Sequence, residues 1–318
     1  MREFTVSIND ENQRLDRFLM KAVPKLSMTL RGKYIRLKRI KVNGKRTDAK
    51  YRLVLGDVIQ LYINDEYFTD DPGVEREIFA RIKEPELDIV FEDEHLLILN
   101  KAPGVLCHSG NEVGAVTLID HVKAYLVQTK QWDPLTEHSF VPALSNRLDR
   151  NTGGLVISCK TAAALQVMNE KIRLHEVSKY YLLAVHGRPN PQQGRLLEHF
   201  VKDQNENKVY AATAGDAGAK EALTEYRTLQ TTDDLSLVEC QIITGRTHQI
   251  RVQMAGIGCP LLGDAKYGSG VKSAIRARHQ ALWAHRLVFD FTRDAGVLNH
   301  LKGRAFRSDA VPFLRYFG

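Results

Sequence analysis

The sequence predicts an α+β protein, in which a small basic α/β domain precedes a larger domain built on a mixed, largely antiparallel β-sheet. Two observations lead to this fold class. Positive charge is concentrated near the N-terminus, and short amphipathic helices are interspersed with alternating strand-like segments along the whole chain. The length of 318 residues is sufficient for two domains, and 43% hydrophobic with 26% charged residues is an ordinary globular composition.

The charge distribution is the first of these observations. The chain carries a net charge of +7, but residues 12–63 contain 14 Lys or Arg against 3 Asp or Glu, which leaves +11 there and −4 elsewhere. Basic clusters of this size usually meet phosphate, because neutralising phosphates releases condensed counterions. A merely solubilising surface is the alternative interpretation. The stretch is therefore expected to bind nucleic acid.

Regular patterns define the elements of this first domain. We expect an edge strand at residues 5–8, helices at 13–23 and 29–38, and a strand at 57–63. Between the second helix and the last strand, Asn43-Gly44 within an alternating apolar and basic run predicts a hairpin.

Breaker residues place the domain boundaries. We expect a first domain at residues 1–65, a polar linker at 66–86 with Pro and Gly, and a second domain at 87–318. The second domain should open with a hairpin, continue with two helices and end in strands that alternate apolar and polar residues. The expected ranges are 89–101 for the hairpin, 117–129 and 161–175 for the helices, and 177–187, 222–226 and 236–242 for strands.

The segment 146–157 is the centre of the second domain. Leu155 to Ile157 is an apolar run typical of a buried strand, and two glycines before it indicate a tight turn or a close backbone approach. Asp149 should therefore lie in a loop that leads into a core strand. Arg147 and Arg150 flank it and should favour its ionised form. Taken alone, these residues would also fit a surface ion pair at a turn.

Three segments in sequence order carry a resemblance to a known family. The run Arg147-Leu148-Asp149-Arg150-Asn151-Thr152-Gly153-Gly154 resembles the signature of the RluA family of pseudouridine synthases. The strand with Lys179 and Tyr181, and the run Gly245-Arg246-Thr247-His248-Gln249-Ile250-Arg251, match the family's other two motifs. Residues 13–63 resemble the S4 RNA-binding domain. The resemblance implies a pseudouridine synthase fold after an S4-like domain, and a reaction that needs no cofactor and no metal.

The resemblance also implies roles for individual residues. Asp149 is the expected catalytic carboxylate, which stabilises charge on the ribose, attacks it or removes a ribose proton; the sequence leaves these three roles open. Arg246 is the expected cationic neighbour of Asp149, and Tyr181 is expected to stack on the detached uracil. Arg147 is suited to filling the space of a uridine that leaves its stack. The full set expected to bind substrate is Arg147, Arg150, Lys179, Arg251, Arg31, Lys33, Arg36, Lys38 and Arg39.

Two positions depart from the family's common pattern. Residue 146 is Asn where many members have His, and residue 153 is Gly where Ser is common. Neither change removes the aspartate or its flanking arginines. We therefore expect activity, with altered loop packing or target choice.

The expected partner is RNA, with ribosomal RNA favoured by the S4-like domain and transfer RNA possible. A non-catalytic RNA-binding or assembly protein is the main alternative. A metal-dependent hydrolase is disfavoured, because Asp149, His248, Asp264 and His285 lack ligand spacing, and His285 is expected to make a structural hydrogen bond.

The remaining expectations concern location, assembly and cysteines. We expect a cytoplasmic monomer, because the sequence has no hydrophobic signal segment, no membrane-length apolar stretch and no sustained heptad pattern. The four cysteines are scattered without a CxxC pair, so we expect them to be small buried or half-buried residues.

Overall fold

The computed structural model of the chain describes all but eighteen of its residues, in the ranges 1–68, 79–110, 112, 114–203, 208–271 and 274–318. Of the predicted linker at 66–86, residues 69–78 lie outside the described part. The described residues form a four-stranded sheet near the N-terminus and an eleven-stranded sheet in the rest of the chain. The α+β fold class with a largely antiparallel main sheet is therefore confirmed.

The N-terminal module, residues 1–68, packs two helices on a four-stranded antiparallel sheet. Its strand order is β1-β4-β2-β3, and the loop that joins β2 to β3 is the predicted Asn43-Gly44 turn, where both residues have positive φ angles of 51° and 72°. Phe18, Leu19 and Ile59 are fully buried in its core. The elements are β1 (Arg2–Thr5), α1 (Leu15–Ala22), α2 (Met28–Arg36), β2 (Ile40–Val42), β3 (Lys45–Arg46) and β4 (Val58–Leu61).

The first strand differs from its prediction. It occupies Arg2–Thr5 and not residues 5–8, because the Asp10 carboxylate accepts hydrogen bonds from the backbone N–H and hydroxyl of Ser7 and closes a turn there. The other predicted elements of the module are present, with bounds that differ by one or two residues.

The main sheet runs in the order β11-β10-β12-β13-β9-β14-β8-β6-β5, with β7 paired to β8 and β15 paired to β14. Neighbouring strands are antiparallel, except that β14 and β8 are parallel. The strands are β5 (Ile89–Glu92), β6 (Leu96–Lys101), β7 (Ala143–Leu144), β8 (Gly153–Cys159), β9 (Val177–His186), β10 (Gln193–Asp203), β11 (Lys208–Ala212), β12 (Lys220–Thr231), β13 (Leu235–Ile242), β14 (Leu282–Phe289) and β15 (Ala305–Arg307).

Helices cover the two faces of this sheet. The predicted helices are confirmed as α3 (Leu118–Gln128) and α4 (Ala162–Arg173). Successive residues of β8 point to opposite faces, so Val156 packs in the cluster with α3 while Leu155 and Ile157 pack in the cluster with α4. The α3 face also contains Tyr181, and it is the face on which the candidate site forms.

Two further predictions are confirmed by the fold. The run after β13 turns into a helix, α5 (Gln249–Gly256), which begins directly after His248 in the left-handed conformation with φ of 55°. Cys107, Cys159, Cys240 and Cys259 are free and buried.

No helix among the described residues is both long and apolar enough to cross a membrane.

Candidate active site

A cavity of about 330 Å³ opens on the α3 face of the main sheet, where three distant parts of the chain meet. The loop before β8 contributes Asn146, Arg147 and Asp149, strand β9 contributes Lys179 and Tyr181, and the start of α5 completes the wall. The three segments that carry the family resemblance therefore line one cavity. The remaining described lining comprises Ser145, Leu148, Thr152, Ile172, Ile242, Gly245, Arg246, Thr247, His248, Gln249, Ile250, Arg251 and Leu282.

The loop that carries Asp149, residues 145–152, is held by hydrogen bonds at both ends. At its start the Asn146 side chain accepts from the Ile157 N–H at 2.8 Å and donates to the Leu155 carbonyl at 3.3 Å. At its end the buried Lys101 ammonium donates to three carbonyls, those of Ala102 at 2.9 Å, Val105 at 2.8 Å and Arg150 at 3.0 Å. The departure from His at position 146 is thus accommodated, because the Asn amide pairs with β8 directly.

The two glycines after the loop allow a close approach of strand β14. A Cβ atom on Gly154 would lie 2.2 Å from the Ala284 carbonyl oxygen, and this glycine has a φ of 110° that other residues rarely adopt. A Cβ on Gly153 would lie 2.2 Å from the Trp283 ring, whose indole N–H donates to the Ser308 hydroxyl at 2.8 Å. The tryptophan therefore occupies the space that a serine at position 153 would need.

Asp149 forms an ion pair with Arg251 of α5. The Arg251 Nη1 lies 3.1 Å from the Asp149 Oδ2, while its Nε and Nη2 donate to both oxygens of Asp264 at 2.7 and 2.8 Å. The Asp264 side chain is fully buried, and although burial opposes ionisation, the Arg251 guanidinium and two backbone N–H groups keep the pKa of Asp264 below its usual value. One guanidinium thus bridges a structural carboxylate and the candidate catalytic one.

This geometry corrects one sequence-based expectation. The cation in contact with Asp149 is Arg251, whereas the Arg246 Nε donates to the Glu221 carbonyl at 2.8 Å. Arg246 lies at the wall of the cavity because the buried Gln249 side chain accepts from its backbone N–H at 3.0 Å. Sequence reasoning assigned Arg251 only a substrate-binding role, since position along the chain does not reveal which of two arginines faces the loop.

His248 and Tyr267 are members of the site that sequence reasoning missed. The His248 Nε2 lies 3.7 Å from the Asp149 Oδ2, and its Nδ1 lies 2.8 Å from the Tyr267 hydroxyl. Burial is the main cause that lowers the pKa of His248, to about 4, so the imidazole is neutral at pH 7. The signal that could have marked His248 is its place in the third motif segment, three residues before Arg251.

Strand β9 places Lys179 and Tyr181 on the same face of the sheet, as the two-residue period of a strand predicts. Both line the cavity, while Tyr180 between them lies under the Arg286 guanidinium, 3.8 Å from its ring centroid. Burial, and to a smaller extent the charge of Asp149, raise the pKa of the Tyr181 hydroxyl, so it remains protonated. Burial lowers the pKa of Lys179.

The remaining predicted substrate-binding residues lie at the rim or in the N-terminal module. Arg147 is exposed and lines the cavity, but Arg150 forms an ion pair with Glu112 and is not part of the described lining. In the module, Arg31 is half-buried and its Nη1 lies 3.5 Å from the Asp16 carbonyl. The other four side chains of the predicted RNA-binding set are exposed, at Lys33, Arg36, Lys38 and Arg39.

Residues of the disfavoured metal site are closer together than the sequence indicated. Asp149 and Asp264 share Arg251, and His248 lies beside them, while His285 is separate and contacts Glu239 at 3.1 Å as a structural hydrogen bond would require. The arginine occupies the centre of the group. In the described part of the chain, no group of three or more His, Cys, Asp or Glu side chains is arranged to hold a metal ion.

Comparison with known proteins shows the family to which the chain belongs. The family model described as RNA pseudouridylate synthase matches residues 95–256, which include all three cavity-forming segments. The chain belongs to the RluA family of RNA pseudouridine synthases. It is 30% identical over 292 residues to the uncharacterized RNA pseudouridine synthase YlyB of Bacillus subtilis, which covers 92% of this chain and 90% of that protein.

Relatives whose names specify the RNA that they modify match this chain over a similar share of its length. The ribosomal large subunit pseudouridine synthase D of Zymomonas mobilis is 31% identical, across 87% of this chain and 85% of its own length. The ribosomal large subunit pseudouridine synthase C of Vibrio cholerae is 29% identical, across 89% and 86%. Among solved structures, human RNA pseudouridylate synthase domain containing 4 superimposes with a TM-score of 0.56 at 21% identity, across 76% of this chain and 93% of that one, and shares the fold.

Proposed function

We propose that this RluA-family enzyme isomerises specific uridines of large-subunit ribosomal RNA to pseudouridine, with Asp149 as the essential carboxylate. The observation that carries the proposal is the position of Asp149. It lies on a loop held by hydrogen bonds at both ends, it lines the cavity, and one of its carboxylate oxygens pairs with the Arg251 guanidinium. The names of the relatives from Vibrio cholerae and Zymomonas mobilis support large-subunit RNA as the substrate. Transfer RNA is the alternative substrate to be tested.

The reaction needs a group that responds to positive charge on the ribose. Breaking the bond between uracil N1 and ribose C1′ leaves an electron-poor sugar, which a carboxylate stabilises, attacks, or relieves of a proton. Rejoining through C5 then requires the C5 proton to leave, and the base ends with a proton on N1. Arg251 holds one oxygen of Asp149, which leaves the other oxygen to act on the sugar.

Other cavity residues are assigned roles by their position. Tyr181 offers a ring face for the detached uracil and a protonated hydroxyl near C5. Arg147 at the exposed rim fills the space of the extruded uridine and pairs with phosphate. Arg246 and Lys179 bind the substrate from the cavity wall.

The N-terminal module is the second part of the proposal. Its exposed basic residues after and within α2 form a surface that contacts RNA backbone by charge and shape, as an S4-like domain spanning residues 1–65 would. The catalytic domain is proposed to span 87–318. A monomer in the cytoplasm, where ribosomal RNA is assembled, completes the proposal.

Release of tritium from uridine C5 tests the reaction directly. We expect the full chain to release tritium from C5-labelled large-subunit RNA made in cells that lack the protein, and Asp149→Asn to release none while binding the RNA as tightly. The asparagine keeps the size of the side chain and removes its charge. Release by Asp149→Asn would contradict the assigned role of the carboxylate.

The same assay identifies the substrate. Labelled large-subunit, small-subunit and transfer RNA are offered separately at equal concentration, and release is expected from large-subunit RNA. Tritium release from transfer RNA alone would show that transfer RNA, and not large-subunit ribosomal RNA, is the substrate. If no RNA releases tritium but RNA still binds, the chain is a non-catalytic binding protein.

A further inference from the structure

The hydroxyl of Tyr267 lies between the edge of the main sheet and the candidate active site. Strand β11 is at one end of the strand order, and its Val209 N–H donates to the Tyr267 hydroxyl oxygen at 3.0 Å. The same hydroxyl lies 2.8 Å from the His248 Nδ1, and the His248 Nε2 lies 3.7 Å from the Asp149 Oδ2. A series of contacts therefore leads from β11 to the carboxylate, and the chemistry proposed above does not use it.

Tyr267 is also held at its backbone and at its ring. Its backbone N–H donates to the Asp264 Oδ1 at 3.1 Å, and the central carbon of the Arg251 guanidinium lies 5.1 Å from its ring centroid. Asp264 is the same carboxylate that orients Arg251 through two hydrogen bonds. One buried aspartate therefore fixes both the arginine that contacts Asp149 and the tyrosine that contacts His248.

The direction of these hydrogen bonds follows from what each group can donate. The Val209 N–H uses one lone pair of the Tyr267 oxygen, and His248 is the acceptor that this hydroxyl contacts within the described part of the chain. Burial lowers the pKa of His248 to about 4, so its ring is neutral at pH 7 and has one acceptor and one donor nitrogen. With Nδ1 as the acceptor, the hydrogen lies on Nε2, which faces Asp149.

Two donors then face the same oxygen of Asp149. The Arg251 Nη1 lies 3.1 Å from Oδ2, and the His248 Nε2 lies 3.7 Å from it. The second distance is longer than a hydrogen bond, and such contacts often tighten only when substrate fills an active site. Among the described residues, no side chain donates to the other oxygen, Oδ1. The arrangement therefore holds one oxygen and leaves the other free.

We propose that His248 is a positioning residue for Asp149, and that Tyr267 fixes the imidazole tautomer on which this role depends. In the substrate complex the His248 Nε2–H donates to Oδ2 beside Arg251, and Oδ1 is directed at the ribose. Tyr267 acts only through His248. The inference rests on the proposed function and adds two positioning residues to it.

NMR spectroscopy of the imidazole nitrogens tests the tautomer without catalysis. The full chain is prepared with ¹⁵N only in its eleven histidines, and the His248 signals are assigned by their absence from His248→Gln or His248→Asn. Donor and acceptor nitrogens of a neutral imidazole have well-separated chemical shifts. We expect the hydrogen on Nε2 in the unaltered chain at pH 7, and a mixture of both tautomers in Tyr267→Phe, which lacks the hydroxyl.

Tritium release measures the effect on Asp149. His248→Asn keeps an acceptor for Tyr267, but its shorter side chain brings no donor to Asp149, so kcat should fall on the order of tenfold with the KM for RNA unchanged. His248→Gln reaches farther and places an amide N–H near the position of Nε2, so it should retain most of the kcat. Tyr267→Phe should lower kcat in the unaltered chain and have no further effect in His248→Asn, because the tyrosine acts through the histidine.

His175 provides the matched control. It is exposed and outside the described lining of the active-site cavity, and its backbone is left-handed like that of His248, with φ angles of 59° and 55°. His175→Asn and His175→Gln therefore make the same changes on the same backbone conformation away from the site, and should leave kcat unchanged. Thermal unfolding of each variant separates loss of the fold from loss of positioning.

Several results would each overturn the inference. An imidazole hydrogen on the His248 Nδ1 of the unaltered chain would reverse the direction of the contacts. A folded His248→Asn variant with the parent kcat, or a His248→Gln variant that loses as much, would show that no donor at this position acts on Asp149. Additive losses from Tyr267→Phe and His248→Asn would show that the tyrosine acts independently. Failure of the proposed function is distinct, because the unaltered chain would then release no tritium while its tautomer is still observed by NMR.

Discussion

At the scale of single residues, the site depends on the guanidinium of Arg251, which hydrogen-bonds to two carboxylates at once. Arg251 donates two hydrogen bonds to the buried Asp264 and one to Asp149. The planar fork of arginine donates from three separate nitrogens and can pair bidentately with one carboxylate while it contacts a second, whereas the ammonium of lysine donates from a single nitrogen and cannot reproduce this geometry. Asp264 thereby acts as a positioning residue, since it fixes the orientation of the arginine that holds Asp149.

Because Arg251 contacts Asp149 and Arg246 does not, we expect substitutions of these two arginines to have unequal effects on activity. Arg251→Lys should lower kcat/KM by on the order of 100-fold, because Asp149 loses its oriented partner. Arg246→Lys should lower kcat/KM by less than about tenfold, mainly through a higher KM. The reason is that Arg246 lines the cavity and donates to a backbone carbonyl, and does not contact Asp149. Steady-state tritium release measures both, with circular dichroism to verify folding. If Arg246→Lys lowered kcat/KM as much as Arg251→Lys or more, Arg246 would be the functional partner of Asp149.

At the scale of elements, the Asp149 loop depends on the strands around it. Lys101 at the end of β6 uses all three ammonium hydrogens on carbonyls of two loops, and the Gly104 N–H shares the Arg150 carbonyl at 2.8 Å. Burial disfavours the charged ammonium and lowers the pKa of Lys101 to about 8. The function of this lysine is therefore to join β6 to the loop.

Removal of this lysine should affect stability more than catalysis. Lys101→Met leaves buried carbonyls without donors and is expected to lower the free energy of unfolding by about 3 kcal/mol. The value of kcat should fall by less than about tenfold, because the Arg251 contact with Asp149 remains. Urea unfolding and tritium release measure the two effects, with the exposed Lys302→Met as control. A large loss of kcat at unchanged stability would instead give Lys101 a direct role in the reaction.

At the scale of the whole molecule, the N-terminal module rests on the catalytic part through a small set of contacts. The Asn9 side chain donates to Glu137 at 2.6 Å and accepts from the Ala162 N–H at 2.9 Å, and the Phe4 and His138 rings are 4.8 Å apart. The Ser139 hydroxyl also donates to the buried Asp10. These contacts orient the basic surface of the module relative to the active site.

Loss of these contacts should loosen the module without unfolding either part. The double variant Asn9→Ala and Ser139→Ala removes polar contacts worth about 1 kcal/mol each, so we expect a larger radius of gyration in small-angle scattering. The KM for RNA should rise while kcat stays constant, because the active-site cavity is unaltered. Glu11→Ala changes an exposed residue of the same turn and serves as the control. An unchanged radius and KM would show that these contacts do not orient the module.

Patterns local in sequence determined most of the elements and the family, although the first strand lies at Arg2–Thr5 and not at residues 5–8. Helical spacing at 117–129 and 161–175, the Asn43-Gly44 turn and the alternation of Lys179 with Tyr181 were sufficient, because hydrogen bonds and side-chain directions within a helix, turn or strand involve residues close in sequence. The three motif segments were recognised for a related reason, since each is a short continuous run.

The tertiary structure alone decided which of these residues meet. Asp149 pairs with an arginine 102 positions away, and the choice of Arg251 over Arg246 depends on where α5 begins against the sheet. The glycine at position 153 is explained by Trp283, brought beside it by the parallel pairing of β8 and β14. Such contacts follow from strand order and register, which depend on the packing of the whole sheet and leave no mark in a short stretch of sequence.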